Sequence, residues 1–174
     1  MSDTKNNDKL KFRNNYIGWL LKNKDNTAVM SDLKRGGARA TDGAALEHIL
    51  PLLHGRYYWQ SPMLLHASDF AAFAYIQHVE GMSLGKAFRQ LESKDKIQEE
   101  SMKRLLMATQ VSNLANAHAM WRGKLAMLNS NGMSLDWGLL WDMYSGWDSK
   151  FPGDRRKARR GLLEGYYSHA QDQQ

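Results

Sequence analysis

The chain has no cysteine, only three prolines in 174 residues, and no apolar run long enough to span a bilayer. Without cysteine there are no disulfides, no thiolate nucleophile and no cysteine-ligated zinc. Few prolines, with Ala, Leu, Met, Lys and Gln abundant, favour helix. No stretch alternates Val, Ile or Thr with polar residues as a half-buried strand does, so strands are not expected. The opening MSDTKNNDKLKF lacks the apolar segment of a secretory signal, and the expected location is cytoplasmic.

What is present is apolar and basic. Hydrophobic residues make up 43% of the chain, enough for a core and too many for a disordered protein. The length allows one domain or two small bundles. The reading is an all-α chain of two small helical bundles packed into one compact unit. It has a flexible polar tail at 1–8, an N-terminal bundle at 9–95 and a C-terminal bundle at 96–170. The polar stretch 92–100 marks the boundary. The net charge of +6 suits nucleic acid or an anionic membrane, and no membrane-spanning segment is expected.

Along the chain, a first helix is predicted at 9–22, with Leu10, Ile17, Leu20 and Leu21 as apolar points and Phe12, Tyr16 and Trp19 interleaved. A short helix follows at 27–35, then a basic, glycine-containing loop at 34–43 and a helix at 44–50 that Pro51 ends or kinks. The clearest helix is at 62–80, with Ser61 as N-cap, Pro62 as first residue and Gly81 as stop. Shorter helices are expected at 83–91, 97–109 and 112–128. Residues 132–167 then set a very apolar aromatic helix before a dense basic one. Ser134 is the expected N-cap, with Asp136 in the first turn. Leu135, Trp137, Leu139, Leu140, Trp141, Met143, Tyr144 and Trp147 cover most of the helix, the mark of a buried element. After Pro152 and Gly153, Asp154 should cap a helix opening on Arg155, Arg156, Lys157, Arg159 and Arg160. Cations are disfavoured near a helix N-terminus, so local stability does not explain five of them there.

Catalytic patterns do not survive inspection. The stretch from Gly81 to Ala87 is one residue too short for a phosphate loop, Ala87 replaces the magnesium-binding hydroxyl, and no strand precedes it. Ser83 and Lys86 fit S-x-x-K without its companion motifs. They read instead as a helix N-cap and an outward lysine, with Gly85 allowing close helix contact. His48, His54, His66, His78, His118 and His169 never take a zinc-helix spacing. No cofactor or metal is expected. Asp69 falls within the Leu65/Ile76 stripe and needs a structural partner. The stripe Trp137, Trp141, Tyr144 and Trp147 reads as core, with base stacking as the minority reading.

The basic groups are the better signal. They fall at Lys34, Arg35 and Arg39; at Lys103, Arg104, Arg122 and Lys124; and at Arg155, Arg156, Lys157, Arg159 and Arg160. Arginine's planar fork suits phosphate. No recognition-helix or RNA-stacking sheet pattern suggests base-edge reading.

An LDW helix start (Leu135-Asp136-Trp137) precedes a Trp-ended helix, a basic helix and the pair Tyr166-Tyr167. Upstream stands Met82-Ser83-Leu84-Gly85-Lys86-Ala87-Phe88. In this order, over residues 28–167, the chain resembles the small subunit of the type I-E CRISPR surveillance complex Cascade, the CasB family. The resemblance implies an all-helical protein without catalytic activity, two copies of which line the inner face of the complex. Its basic side chains would track the hybrid of guide RNA and target DNA and steady the displaced strand. It implies as partners the CRISPR guide RNA, the target and displaced DNA strands, the backbone and large Cascade subunits, and a second copy of this chain. Carried over by position, it points to Lys34 and Arg35, Lys86, Arg122, Arg155, Arg156 and Arg159. Ser101 and Met107 stand where the family often has arginine, with Lys103 and Arg104 close by. A free-standing basic helical DNA-binding regulator and a small enzyme are the competing readings.

Overall fold

A computed structural model describes residues 2–35, 42–53, 75–94 and 96–168. The chain forms two compact units, the first ending at Tyr75 and the second beginning at Ile76. The polar stretch 92–100, expected as the boundary, therefore lies inside the second unit, where it links two packed helices. Among the described residues the architecture is all-α apart from one pair of two-residue strands, as the composition implied.

The first unit holds α1 (Ser2–Asn23), α2 (Thr27–Arg35), α3 (Asp42–Ile49) and a 3-10 turn, Leu50–Leu53. Helix α1 starts at Ser2 rather than at residue 9, since no proline or glycine interrupts 2–17. Its buried stripe is Phe12, Tyr16, Ile17 and Leu20, while Leu10 and Leu21 are exposed. Phe12, Tyr16 and Leu20 recur every fourth residue and so share one face. Met30, Leu33, Ala45 and Ile49 complete this core. The Asn26 side chain accepts from Val29 N at 3.3 Å at the start of α2, and His48 pairs with Asp32 at 3.1 Å. The expected helix 62–80 lies largely outside the described residues, as do Asp69, His54, His66 and His169.

The second unit contains the strands β1 (Gln77–His78) and β2 (Ser134–Leu135). Its helices are α4 (Leu84–Ser93), α5 (Glu99–Gln110), α6 (Leu114–Ser130), α7 (Trp137–Trp147) and α8 (Pro152–Ser168). The strands pair in parallel, Gln77 with Ser134 and His78 with Leu135. The end of the predicted 62–80 helix is thus extended chain. Trp137 fixes it there, its Nε1–H donating to Ile76 O at 3.1 Å. Ser83 caps α4 as expected and Asn113 caps α6, each side chain accepting a first-turn N–H.

The LDW start works differently from the prediction. Ser134 is in β2, and Asp136 is the N-cap of α7. Its Oδ1 accepts from Gly138 N at 2.8 Å and Leu139 N at 3.1 Å, and its Oδ2 accepts from Gly81 N at 2.7 Å. Gly81 has φ of 81°, a conformation that favours glycine. One carboxylate therefore starts a helix and ties down the turn after β1. Partial burial alone would raise the Asp136 carboxyl, but the N–H groups of Gly81, Leu139 and Gly138 outweigh it and hold the group below its ordinary value. A depressed carboxyl stabilises the fold above its unfolded value and loses that contribution as pH falls through the folded one. Asp136→Ala should cost about 1–2 kcal/mol at neutral pH. The melting gap between variant and parent should close as the pH drops below about 4. A gap independent of pH would contradict this role.

Helices α7 and α8 carry most of the remaining core. Trp121 meets Trp147 edge to face at 5.0 Å, and Tyr144 bonds His118 Nδ1 at 2.8 Å. The Trp147 Nε1–H donates to Ser112 O at 3.0 Å. Trp137, Trp141, Tyr144 and Trp147 are all buried, in accord with the core reading of this stripe. Leu139 is exposed. Helix α8 starts at Pro152, so Asp154 sits in its first turn instead of capping it and accepts from Ser149 Oγ at 3.0 Å.

Candidate nucleic-acid interface

The basic residues divide into those the fold uses and those it leaves to solvent. On α8 the division follows helical spacing. Arg155 and Arg159, four apart, turn inward and are half-buried, while Arg156, Lys157 and Arg160 are exposed. Full exposure of the Arg155, Arg156 and Arg159 set, expected from the charge run, holds only for Arg156.

Arg159 is a structural fastener. Its side chain is 24% exposed, and its guanidinium lies 5.1 Å from the centre of the Trp147 ring. It donates to Gln110 O at the end of α5 and to Trp147 O at 3.4 Å, and approaches Asp148 to 3.8 Å. The Gln110 side-chain amide donates back to Arg159 O at 3.2 Å. The flat arginine thus joins the C-terminal ends of α5 and α7 to the middle of α8. Arg155 donates to Ser149 O at 2.5 Å and closes the turn between α7 and α8.

Other predicted residues are engaged more lightly. Lys103 pairs with Glu99 at 2.5 Å, and Arg160 with Glu164 at 2.6 Å. The Glu99 pairing raises Lys103, and both groups lie at the surface. Exposed ion pairs of this kind are weak and open readily to a competing anion. Half-buried Lys86 reaches Gly81 O at 3.4 Å. Arg35, exposed at the end of α2, donates to Ser31 Oγ at 2.6 Å. Lys34 lies in the same last turn, and Arg39 is outside the described residues. Arg104, Arg122, Arg156 and Lys157 are exposed and Lys124 is half-buried, with no carboxylate partner among the described residues.

The fold sets two of these groups on neighbouring helices. Gln110 meets Arg159, and Lys103 lies within electrostatic range of Tyr167, so α5 and α8 run antiparallel. Arg104 is then near the C-terminal end of α8, and Arg156 is near its N-terminal end. At a rise of 1.5 Å per residue they lie roughly 15 Å apart along the pair. Sequence reasoning missed the inward role of Arg159. Its i, i+4 relation to Arg155 was visible, but the acceptors at Gln110 and Trp147 are distant in sequence.

No cluster of His, Asp and Glu able to hold a metal ion occurs among the described residues. The described helices include none long and apolar enough to cross a membrane.

These features define a small helical protein whose basic surface rests on a tryptophan-rich core. The family model for CRISPR-associated protein Cse2 matches residues 29–167, and the chain belongs to this family, the small subunit of the type I-E Cascade complex. A solved chain from a CRISPR RNA-guided surveillance complex shares the fold. Its TM-score is 0.69 at 17% identity, over 95% of this chain and 99% of that chain. A search of curated protein sequences found no match.

Proposed function

We propose that this Cascade small subunit binds the backbones of the guide RNA–target DNA hybrid and the displaced strand, holding target DNA open without catalysing a reaction. The observation that carries this reading is the set of exposed cations without carboxylate partners among the described residues, Arg104, Arg122, Arg156 and Lys157, in a chain of net charge +6. The axial separation of Arg104 and Arg156, roughly 15 Å, equals about four nucleotides on a strand rising 3.4 Å per residue. Lys34, Arg35, Arg39, Lys86, Lys103, Lys124 and Arg160 supplement them. Arg155 and Arg159 support the surface from behind. Base pairing reads the sequence, and the protein supplies backbone contacts. The backbone and large Cascade subunits, and a second copy of this chain, are the neighbours this role requires.

Salt titration of nucleic-acid binding by the full chain tests the division of labour. Arg156→Gln and Lys157→Gln should each lower the log–log salt slope by roughly 0.7–0.9 without changing the melting temperature. Arg159→Leu should do the reverse, lowering the melting temperature with the slope retained. An unchanged slope in the Arg156 and Lys157 variants would remove α8 from the interface. Strong preference for one duplex sequence, surviving at high salt, would favour a free-standing regulator.

A further inference from the structure

Phe151, between α7 and α8, is an aromatic ring left 57% exposed. Its backbone is pinned. Ser149 Oγ accepts from Phe151 N at 3.2 Å, and Phe151 O accepts from Arg155 N at 3.3 Å. The same turn is closed by Arg155 on Ser149 O and by Ser149 on Asp154. The ring is therefore presented to solvent by a bonded turn. The Lys150 ammonium lies 5.2 Å from its centroid, in cation–π range.

The local charges are sorted in a telling way. Both nearby carboxylates are occupied, Asp148 by Leu114 N at 2.8 Å and Asp154 by Ser149. Lys150, Arg156 and Lys157 are exposed and have no carboxylate partner among the described residues. A held-out aromatic ring flanked by free cations matches a ligand that repeats a flat π face beside a negative charge. Unpaired nucleic acid has this chemistry, since each nucleotide offers a base to stack and a phosphate to neutralise. A ring meant for an apolar protein pocket would sit among other apolar groups, whereas Pro152 is the only other apolar side chain from 148 to 157, and Ser149, Lys150, Asp154 and Arg155 are polar or charged.

We infer that Phe151 is a stacking platform for an unpaired base, and that Lys150, Arg156 and Lys157 hold the adjoining phosphates. The inference rests on the proposed backbone-binding function and gives it a single-strand-specific element. Within an opened duplex its ligand is the displaced strand.

The test compares binding of an oligothymidylate of about 20 nucleotides with binding of a duplex of equal length, using the full chain. Phe151→Ala should weaken single-strand binding about 5- to 100-fold while leaving its salt slope and the duplex affinity unchanged. Phe151→Trp should bind the single strand at least as well as the parent. Phe151→Leu, which keeps apolar bulk without a π face, should resemble the alanine variant. Equal single-strand affinity in parent and Phe151→Ala would overturn the stacking role while leaving backbone binding standing. Loss of Cascade incorporation alone would likewise overturn it and assign the ring to a protein neighbour. If the parent bound neither probe in a salt-dependent way, the backbone-binding reading would fall together with it.

Discussion

Replacing Trp141 by alanine should destabilise the second unit by on the order of 3–5 kcal/mol, the usual result of removing a large aromatic from a packed core. Trp141 is 2% exposed and lies one turn beyond Trp137 on α7. Trp137, Gly138, Leu140, Trp141, Met143, Tyr144 and Trp147 of that helix are buried, with α8 packed against it and Trp121 of α6 against Tyr144 and Trp147. The melting temperature should fall by about 10 °C or more. An unchanged melting temperature would mean that α7 is not the core of the unit.

Gly85→Ala should be nearly as damaging, for the opposite reason. A Cβ on Gly85 would stand 2.2 Å from Leu162 O and 2.6 Å from Tyr166 N, both backbone atoms of α8. No side chain can swing aside, so α4 and α8 would have to separate. Gly165 faces the same crossing, where an added Cβ would meet Ser83 Oγ at 2.5 Å. Overpacking of this kind costs about 3 kcal/mol or more when the backbone must move. The separation would also disturb Tyr166, which donates to Glu92 while Arg89 holds Glu92 at 2.6 Å. Thermal melting read with tyrosine and tryptophan fluorescence checks this, and a variant as stable as the parent would show that the crossing is looser than its geometry states.

Much of this was legible in the sequence because it depended on local chemistry. Ser83 and the glycine after Leu84 announced a cap and a close helix contact, and the run from Trp137 to Trp147 announced a buried helix. The same rules erred where a distant partner decided the outcome. Ser134 is a good N-cap by type, yet its backbone pairs with Gln77, and Asp136 takes over because Gly81 and two first-turn amides converge on it. The helix predicted through residue 80 ends in a strand for the same reason. Arg159 is the clearest functional case. Sequence spacing separates it from Arg156 by three positions, but only the approach of Gln110 and Trp147 shows that one arginine fastens helices while the other faces solvent. Counting charges could not divide the basic helix in two.

In the proposed function the outward cations of α8, rather than the whole basic run, help to hold target DNA open within Cascade. The most direct measurement is permanganate reactivity of thymines in the displaced strand. It would use the complex assembled with parent protein or with Arg156→Glu/Lys157→Glu, at physiological salt. The predicted result is reduced strand opening with guide RNA co-purifying at the parent level. Opening equal to the parent, with the double variant incorporated, would contradict the claim and reassign this face of α8 to contact with an acidic neighbouring subunit.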